Sequence, residues 1–287
     1  MRILAFSDVY RWEGYEDLVH KHKPDIVVLA GDLTSDGNTA YSEGVLELVP
    51  GFAKEKSELF RKYKRVDMGD GMSSGPVMSD KLRTKFYNDQ RELDNRYEGT
   101  KDFKELLEAR RKTHVEMFYA FLRHAGKLSK VLVTKGDHDT DDYDSSRINK
   151  IPGCQEISGK AYTWNRCVFL GLGFAQAGYR SPLRSLIADF KGRAEIVIAH
   201  SPQRNVRLIA EIRPKLLIRG HFGSGQYMVD GIPTVFTSDL NHVVIEIGRA
   251  GLPRIRGFRS LSRELKGDSW SDKHLRRKYP WLGRYPR

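Results

Sequence analysis

Five short stretches of this chain end an apolar, β-type run with a carboxylate or an imidazole: Phe6-Ser7-Asp8, Gly31-Asp32, Gly136-Asp137-His138-Asp139, Ala199-His200 and Gly220-His221. Strand ends on one edge of a sheet converge, so these five can assemble one polar site. Asp and neutral His are the ligands that hard-to-borderline divalent cations take, and a cation held this way suits phosphoryl chemistry. Gly136 allows a sharp turn at a strand end. Asp137 is then placed to face a cation and His138 a substrate, where an imidazole can protonate a leaving oxygen or steady a phosphate near neutral pH. Asp139 is a candidate to orient that imidazole. The competing reading of the stretch is a solubilising acidic loop, since Asp141, Asp142 and Asp144 follow. Of nine histidines, His138, His200 and His221 sit one or two residues past a strand-like run.

The elements that must position these residues are legible as apolar runs. Residues 2–7 read as a buried strand, 12–23 as a helix stopped by Pro24, and Ile26–Ala30 as the next buried strand. That order implies a parallel strand–helix–strand unit. Further strands are expected at 131–135, 167–171, 195–199, 216–219, 227–229, 234–236 and 243–247. Between the two groups lies a long charged region, about 38–127. Its residues 69–76 are rich in Gly, and its later part is strongly helix-forming. Leu106, Leu107, Arg110, His114, Met117, Phe118 and Phe121 recur at helical intervals. We expect 103–124 to pack on the core, and 54–100 stands as a candidate cap. The whole is expected to be α/β, with two sheets packed face to face and helices outside.

Composition narrows the classes. A chain of 287 residues can bury a core without staples. Two cysteines, Cys154 and Cys167, make no disulfide framework and fit a reducing compartment. No apolar stretch approaches the ~20 residues of a membrane span, and the apolar start ends too soon, at a charge, for a signal peptide. A cytoplasmic protein is expected. The net charge is +12, and nine of those charges come from 249–287, where twelve Lys and Arg face Glu264, Asp268 and Asp272. Trp270, Tyr279, Trp281 and Tyr285 are interleaved there. Cations neutralise phosphates and aromatic rings stack on bases, so nucleic acid is a candidate partner. A solvated basic face anchored by aromatics is the plainer alternative.

In their order, the five motifs resemble the calcineurin-like metallophosphoesterase family. The family sets Asp-x-His, Gly-Asp, Gly-Asn-His-Asp/Glu, a later His and Gly-His-x-His at five strand ends. The resemblance spans Arg2 to about Ile247, with the 38–127 region larger than usual. It implies two packed mixed β-sheets flanked by helices, a four-layer sandwich spanning 1–248, with 249–287 as a basic extension. It also implies a metal-dependent phosphoesterase that hydrolyses a phosphate ester by metal-activated water. Asp8 then resembles a ligand of a first metal and Asp32 the carboxylate bridging two metals. Asp137 stands where the family has Asn, and with His200 and His221 it resembles the ligand set of the second metal. His138 resembles the histidine that meets the scissile phosphate.

Two positions depart from the family. Tyr10 and Gly223 stand where the first metal's histidines belong. Tyr10 is a candidate ligand for a hard ion such as iron(III), or an aromatic filling the space of a lost metal. The expectation is one tightly held divalent ion, manganese or zinc with iron as a further option, and at most a weakly held second. Asp36 follows Gly31-Asp32 one place later than the supporting Asp of the family. The alternative function is a catalytically degenerate relative that binds nucleic acid or a protein partner.

Overall fold

Near-continuous apolar runs are what a strand buried on both faces requires, and they build the centre of this fold. The computed structural model describes residues 1–9, 12, 14–34, 46, 49–63, 80–139, 142–175, 180–200, 205–221, 225–237, 241–248 and 253–260. Tyr10, Asp36, Gly223, the glycine-rich 69–76 stretch and the chain beyond residue 260 lie outside them.

The strands are β1 (Arg2–Phe6), β2 (Ile26–Ala30), β3 (Lys130–Thr134), β4 (Cys154–Glu156), β5 (Lys160–Trp164) and β6 (Cys167–Leu172). They continue with β7 (Ile196–Ala199), β8 (Leu216–Arg219), β9 (Gly225–Val229), β10 (Ile232–Phe236), β11 (Asn241–Ile247) and β12 (Pro253–Ser260). The helices are α1 (Tyr15–His22), α2 (Phe52–Tyr63), α3 (Asp80–Glu98), α4 (Lys101–Leu128), α5 (Ser145–Asn149), α6 (Arg180–Phe190) and α7 (Val206–Ala210).

Among the described residues two six-stranded mixed sheets result, in the orders β12-β11-β1-β2-β3-β4 and β5-β6-β7-β8-β10-β9. β1, β2 and β3 are parallel neighbours, as are β6, β7 and β8. Alternate residues of each strand serve different layers. Ile3, Ala5, Val28, Ala30 and Leu132 meet Phe169, Ile196, Ile198 and Ile218 between the sheets. Leu4, Phe6, Val27, Leu29 and Val133 pack outward on Tyr15, Leu18, Phe118, Phe121 and Leu122 of α1 and α4. Val197, Ala199 and Leu217 pack outward on Leu183, Ile187 and Ile209 of α6 and α7. This is the expected four-layer α/β sandwich.

The chain divides into two compact units, Met1–Ser35 with His114–Arg287, and Asp36–Thr113. The division falls inside α4, and the helical stripe read from sequence splits with it. Phe118 and Phe121 belong to the core of the first unit, whereas Leu106 and Leu107 pack with Leu46, Val49, Phe52 and Leu93 of the second. Arg96 and Tyr97 of α3 meet Glu55 of α2, and Lys62 and Tyr63 of α2 meet Asp89 of α3.

Three strands were not expected: β4, β5 and β12. The last falls in the stretch read as the start of the basic extension and pairs antiparallel with β11. The first helix is shorter than its sequence pattern, 15–22 rather than 12–23. Lys23 takes a left-handed conformation and its N–H closes on the Val19 carbonyl just before Pro24. No helix among the described residues is long and apolar enough to cross a membrane.

Candidate metal centre

Because β1, β2, β3, β7 and β8 run in matching directions, their C-terminal ends share one edge of the sandwich. The backbone there is tied across strands, with Asp8 N–H donating to the Gly31 carbonyl and Val9 N–H to that of Asp32. Asp8, Asp32 and His221 all hold positive φ, at 53°, 56° and 83°. Such backbone costs non-glycine residues of order 1–3 kcal/mol and concentrates at functional sites. Gly31, with φ of +87°, brings the chain against the His200 ring, where a Cβ would lie 2.5 Å from Nδ1. At Gly136 a Cβ would overlap the Asp32 carboxylate.

Asp32, Asp137, His200 and His221 each present one ligand atom, all within 4.8 Å of one another. His200 Nε2 lies 3.2 Å from Asp32 Oδ2 and 2.8 Å from Asp137 Oδ1, and His221 Nδ1 lies 3.3 Å from the same Asp137 oxygen. The His200 ring is wholly buried. Its Nδ1 donates to the Ala30 carbonyl at 2.7 Å. That fixes the tautomer and turns the Nε2 lone pair toward the carboxylates, the arrangement usual for metal-binding histidines.

Whether these residues suit a cation can be tested on their own atoms. His200 Nε2 and Asp137 Oδ1 are buried and close, yet neither makes an aligned hydrogen bond. Buried polar atoms are almost always paired, so lone pairs converging on shared space without bonding fit a cation. The electrostatics agree. Burial works against the Asp137 carboxylate, but the hydrogen-bonding position and charge of His200, with His221, outweigh it and hold its pKa at about 2. Burial likewise disfavours a charged His200, and Asp137 and Asp32 overcome it, so its pKa stands well above the ordinary value. The same carboxylates that draw a proton to His200 would draw a metal ion in its place. Two Asp and two His form a mixed oxygen and nitrogen donor set.

The other expected residues stand outside the four. Asp8 is almost fully buried, and its Oδ2 accepts from Ser7 Oγ at 2.5 Å and from the His221 N–H at 2.9 Å. Burial raises its pKa, only partly offset by His200, Ser7 and His221. His138 is 48% exposed, with Nε2 3.7 Å from Asp137 Oδ2 and its ring parallel to that of His221 at 6.5 Å. Asp139 was expected to orient His138. Instead its buried carboxylate accepts from the N–H groups of Asp32, Leu33, Thr34 and Gly136 and from Thr34 Oγ1. It clamps the loop that carries Asp32. The His138 backbone is held separately, its N–H donating to Asp32 Oδ1 at 3.0 Å. Two participants were missed from sequence, the Ala30 carbonyl and the Ser7 hydroxyl. Ser7 directly precedes Asp8 in the first of the five stretches, whereas a carbonyl leaves no side-chain signal.

Solved structures share this architecture. One covers 90% of this chain and 99% of its own length at 12% identity, with a TM-score of 0.50. TT1561 of Thermus thermophilus covers 88% of this chain and 97% of its own at 13% identity, also with a TM-score of 0.50. At these identities the likeness shows the fold alone. An archaeal phosphodiesterase aligns over 89% of this chain and 98% of its own, with 7% identity and a TM-score of 0.38, too low to carry an argument. No protein-family model matches the chain, and no curated protein matches it in sequence.

Proposed function

We propose that this chain is a metal-dependent phosphoesterase, acting on phosphodiesters. The observation that carries the reading is the convergence of Asp32, Asp137, His200 and His221 at one sandwich edge, with His200 Nε2 and Asp137 Oδ1 buried at its centre without an aligned hydrogen bond. Those four would hold one divalent ion, manganese or zinc ahead of iron. Such an ion supplies an activated water and charge on the phosphoryl oxygens. His138, exposed beside Asp137, would donate a proton to the departing oxygen. Asp8 and Tyr10 would form a weaker position at most. Asp139 would act on the site through the Asp32 loop. In this reading the first unit, with β12 in its sheet, forms the phosphoesterase body and 36–113 are inserted in it, and the basic chain that follows β12 would favour nucleotide or nucleic-acid substrates. The protein would work in the cytoplasm.

A second reading, a relative that binds without turnover, is favoured by one observation: Asp8 Oδ2 is already taken by Ser7 and His221. Hydrolysis of bis-p-nitrophenyl phosphate with added manganese, by the purified protein and by His138→Ala, separates the two. Turnover lost in the variant supports the enzyme. Absence of turnover in both supports the binding protein and overturns the first reading.

A further inference from the structure

Four of the nine histidines gather around the C-terminal turn of α1, away from the cluster just described. His20 on α1 and His124 on α4 bring their Nε2 atoms to 2.9 Å, with ring centroids 4.8 Å apart and planes inclined by 65°. His22 meets His242 at 5.5 Å between ring centroids. α1 returns from the C-terminal end of β1 to the start of β2, so its last turn lies at the sandwich edge opposite Asp32 and His200. His20 lines an open cavity of about 760 Å³ there, with Asp25, Lys130 and Gly153 at strand starts. An ion therefore has a route to the pair from water.

We propose that His20 and His124 form a second, independent metal site, selective for copper(II). Imidazole nitrogens bind first-row ions at about 2.0–2.1 Å. Two nitrogens 2.9 Å apart then subtend about 90° at a shared ion, the cis angle of a square-planar or tetragonal centre rather than a tetrahedral one. That geometry with nitrogen donors marks copper(II) or nickel(II), and copper(II) binds the tighter of the two. Without an ion, one Nε2–H donates to the other ring. On binding, that hydrogen moves to Nδ1 of the donor ring, both Nε2 lone pairs face the ion, and no proton is lost overall. The pair also lies toward the C-terminal ends of α1 and α4, where the carbonyl ends of the helix dipoles favour positive charge. Lys23 and Lys127 line the same cavity and work against it.

The test is copper(II) titration of the full chain, followed by electron paramagnetic resonance and equilibrium dialysis, beside His20→Ala, His124→Ala and the cluster variant Asp137→Ala/His200→Ala. The cluster variant should keep one copper with two equatorial nitrogens. Removing either surface histidine should weaken that copper by about a hundredfold, the scale at which tethering a second ligand helps the first. Where the cluster variant fails to fold, the single surface variants in the otherwise intact chain should hold one copper fewer. Copper binding unchanged by both single variants would overturn the site and leave the pair a hydrogen bond only.

Discussion

The backbone N–H of His221 donates to Oδ2 of Asp8 at 2.9 Å, joining the ends of β8 and β1 across the seam between the sheets. Asp8 is thus committed to holding the loop of a candidate ligand. Asp8→Asn should therefore retain about one ion per chain after dialysis, while Asp137→Ala and His200→Ala lose it. Metal analysis decides the point, and two ions per wild-type chain, falling to one in Asp8→Asn, would show that Asp8 is itself a ligand.

His221 pays for its place with a φ of 83°. In His221→Gly the strain is relieved, by about 1 kcal/mol, and a donor is removed. The metal-free variant should melt no lower than the metal-free wild type, and its gain in melting temperature on adding metal should be much smaller. A lower melting temperature without metal would mean that the imidazole packs for stability.

Gly136→Ala should be severe for a strand-end turn. Its Cβ would overlap the Asp32 carboxylate, and overpacking of this kind costs about 1–3 kcal/mol. Urea denaturation should show that loss together with weaker metal binding. Unchanged affinity would mean that the loop shifts without disturbing Asp32.

Asp139 and His138 are neighbours with opposite expected effects. Asp139→Ala removes the acceptor of four backbone N–H groups and should destabilise the fold by about 3 kcal/mol or more, since bonds to charged groups contribute roughly 1.5–3 each. His138→Ala, at an exposed position, should stay within about 0.5 kcal/mol of wild type. Comparable denaturation midpoints would refute the clamp.

The two thiols give a pH dependence. Burial pushes Cys154 and Cys167 from 9.0 up to about 12, for Cys167 with help from Glu195. An unfolded chain ionises its thiols first, so this contribution to stability is complete below pH 9 and is lost as pH rises toward 12. Native protein at pH 8 should react slowly with a thiol reagent, and denatured protein quickly. Alkaline melting curves of Cys154→Ala should fall less steeply than those of wild type.

What could be read from the chain follows from which strands bury both faces. β1, β2, β3, β7 and β8 are apolar throughout and announce themselves, and the acidic and imidazole residues that close them stand out by contrast. β5, Lys160–Trp164, has mostly exposed positions. β4 has only three residues. β12 alternates arginines with Ile255 and Phe258, which in sequence looks like part of a basic tail. The four clustered residues were visible because strand ends converge. The jobs of Asp8 and Asp139 were not, because they depend on which backbone N–H groups arrive beside them. His20 and His124, 104 residues apart, left no local pattern at all.

Asp32 and Asp137 belong to one sheet and His200 and His221 to the other, and the two pairs are also separated along the chain. A ribosome making this protein releases both carboxylates long before either imidazole. The emerging chain therefore cannot assemble the cluster from its early half, and if the cluster holds the proposed ion, loading would wait until residue 221 has cleared the exit tunnel and the second sheet has closed on the first. Metal occupancy would then mark a finished molecule, and cellular metal shortage would be felt by mature chains rather than by nascent ones.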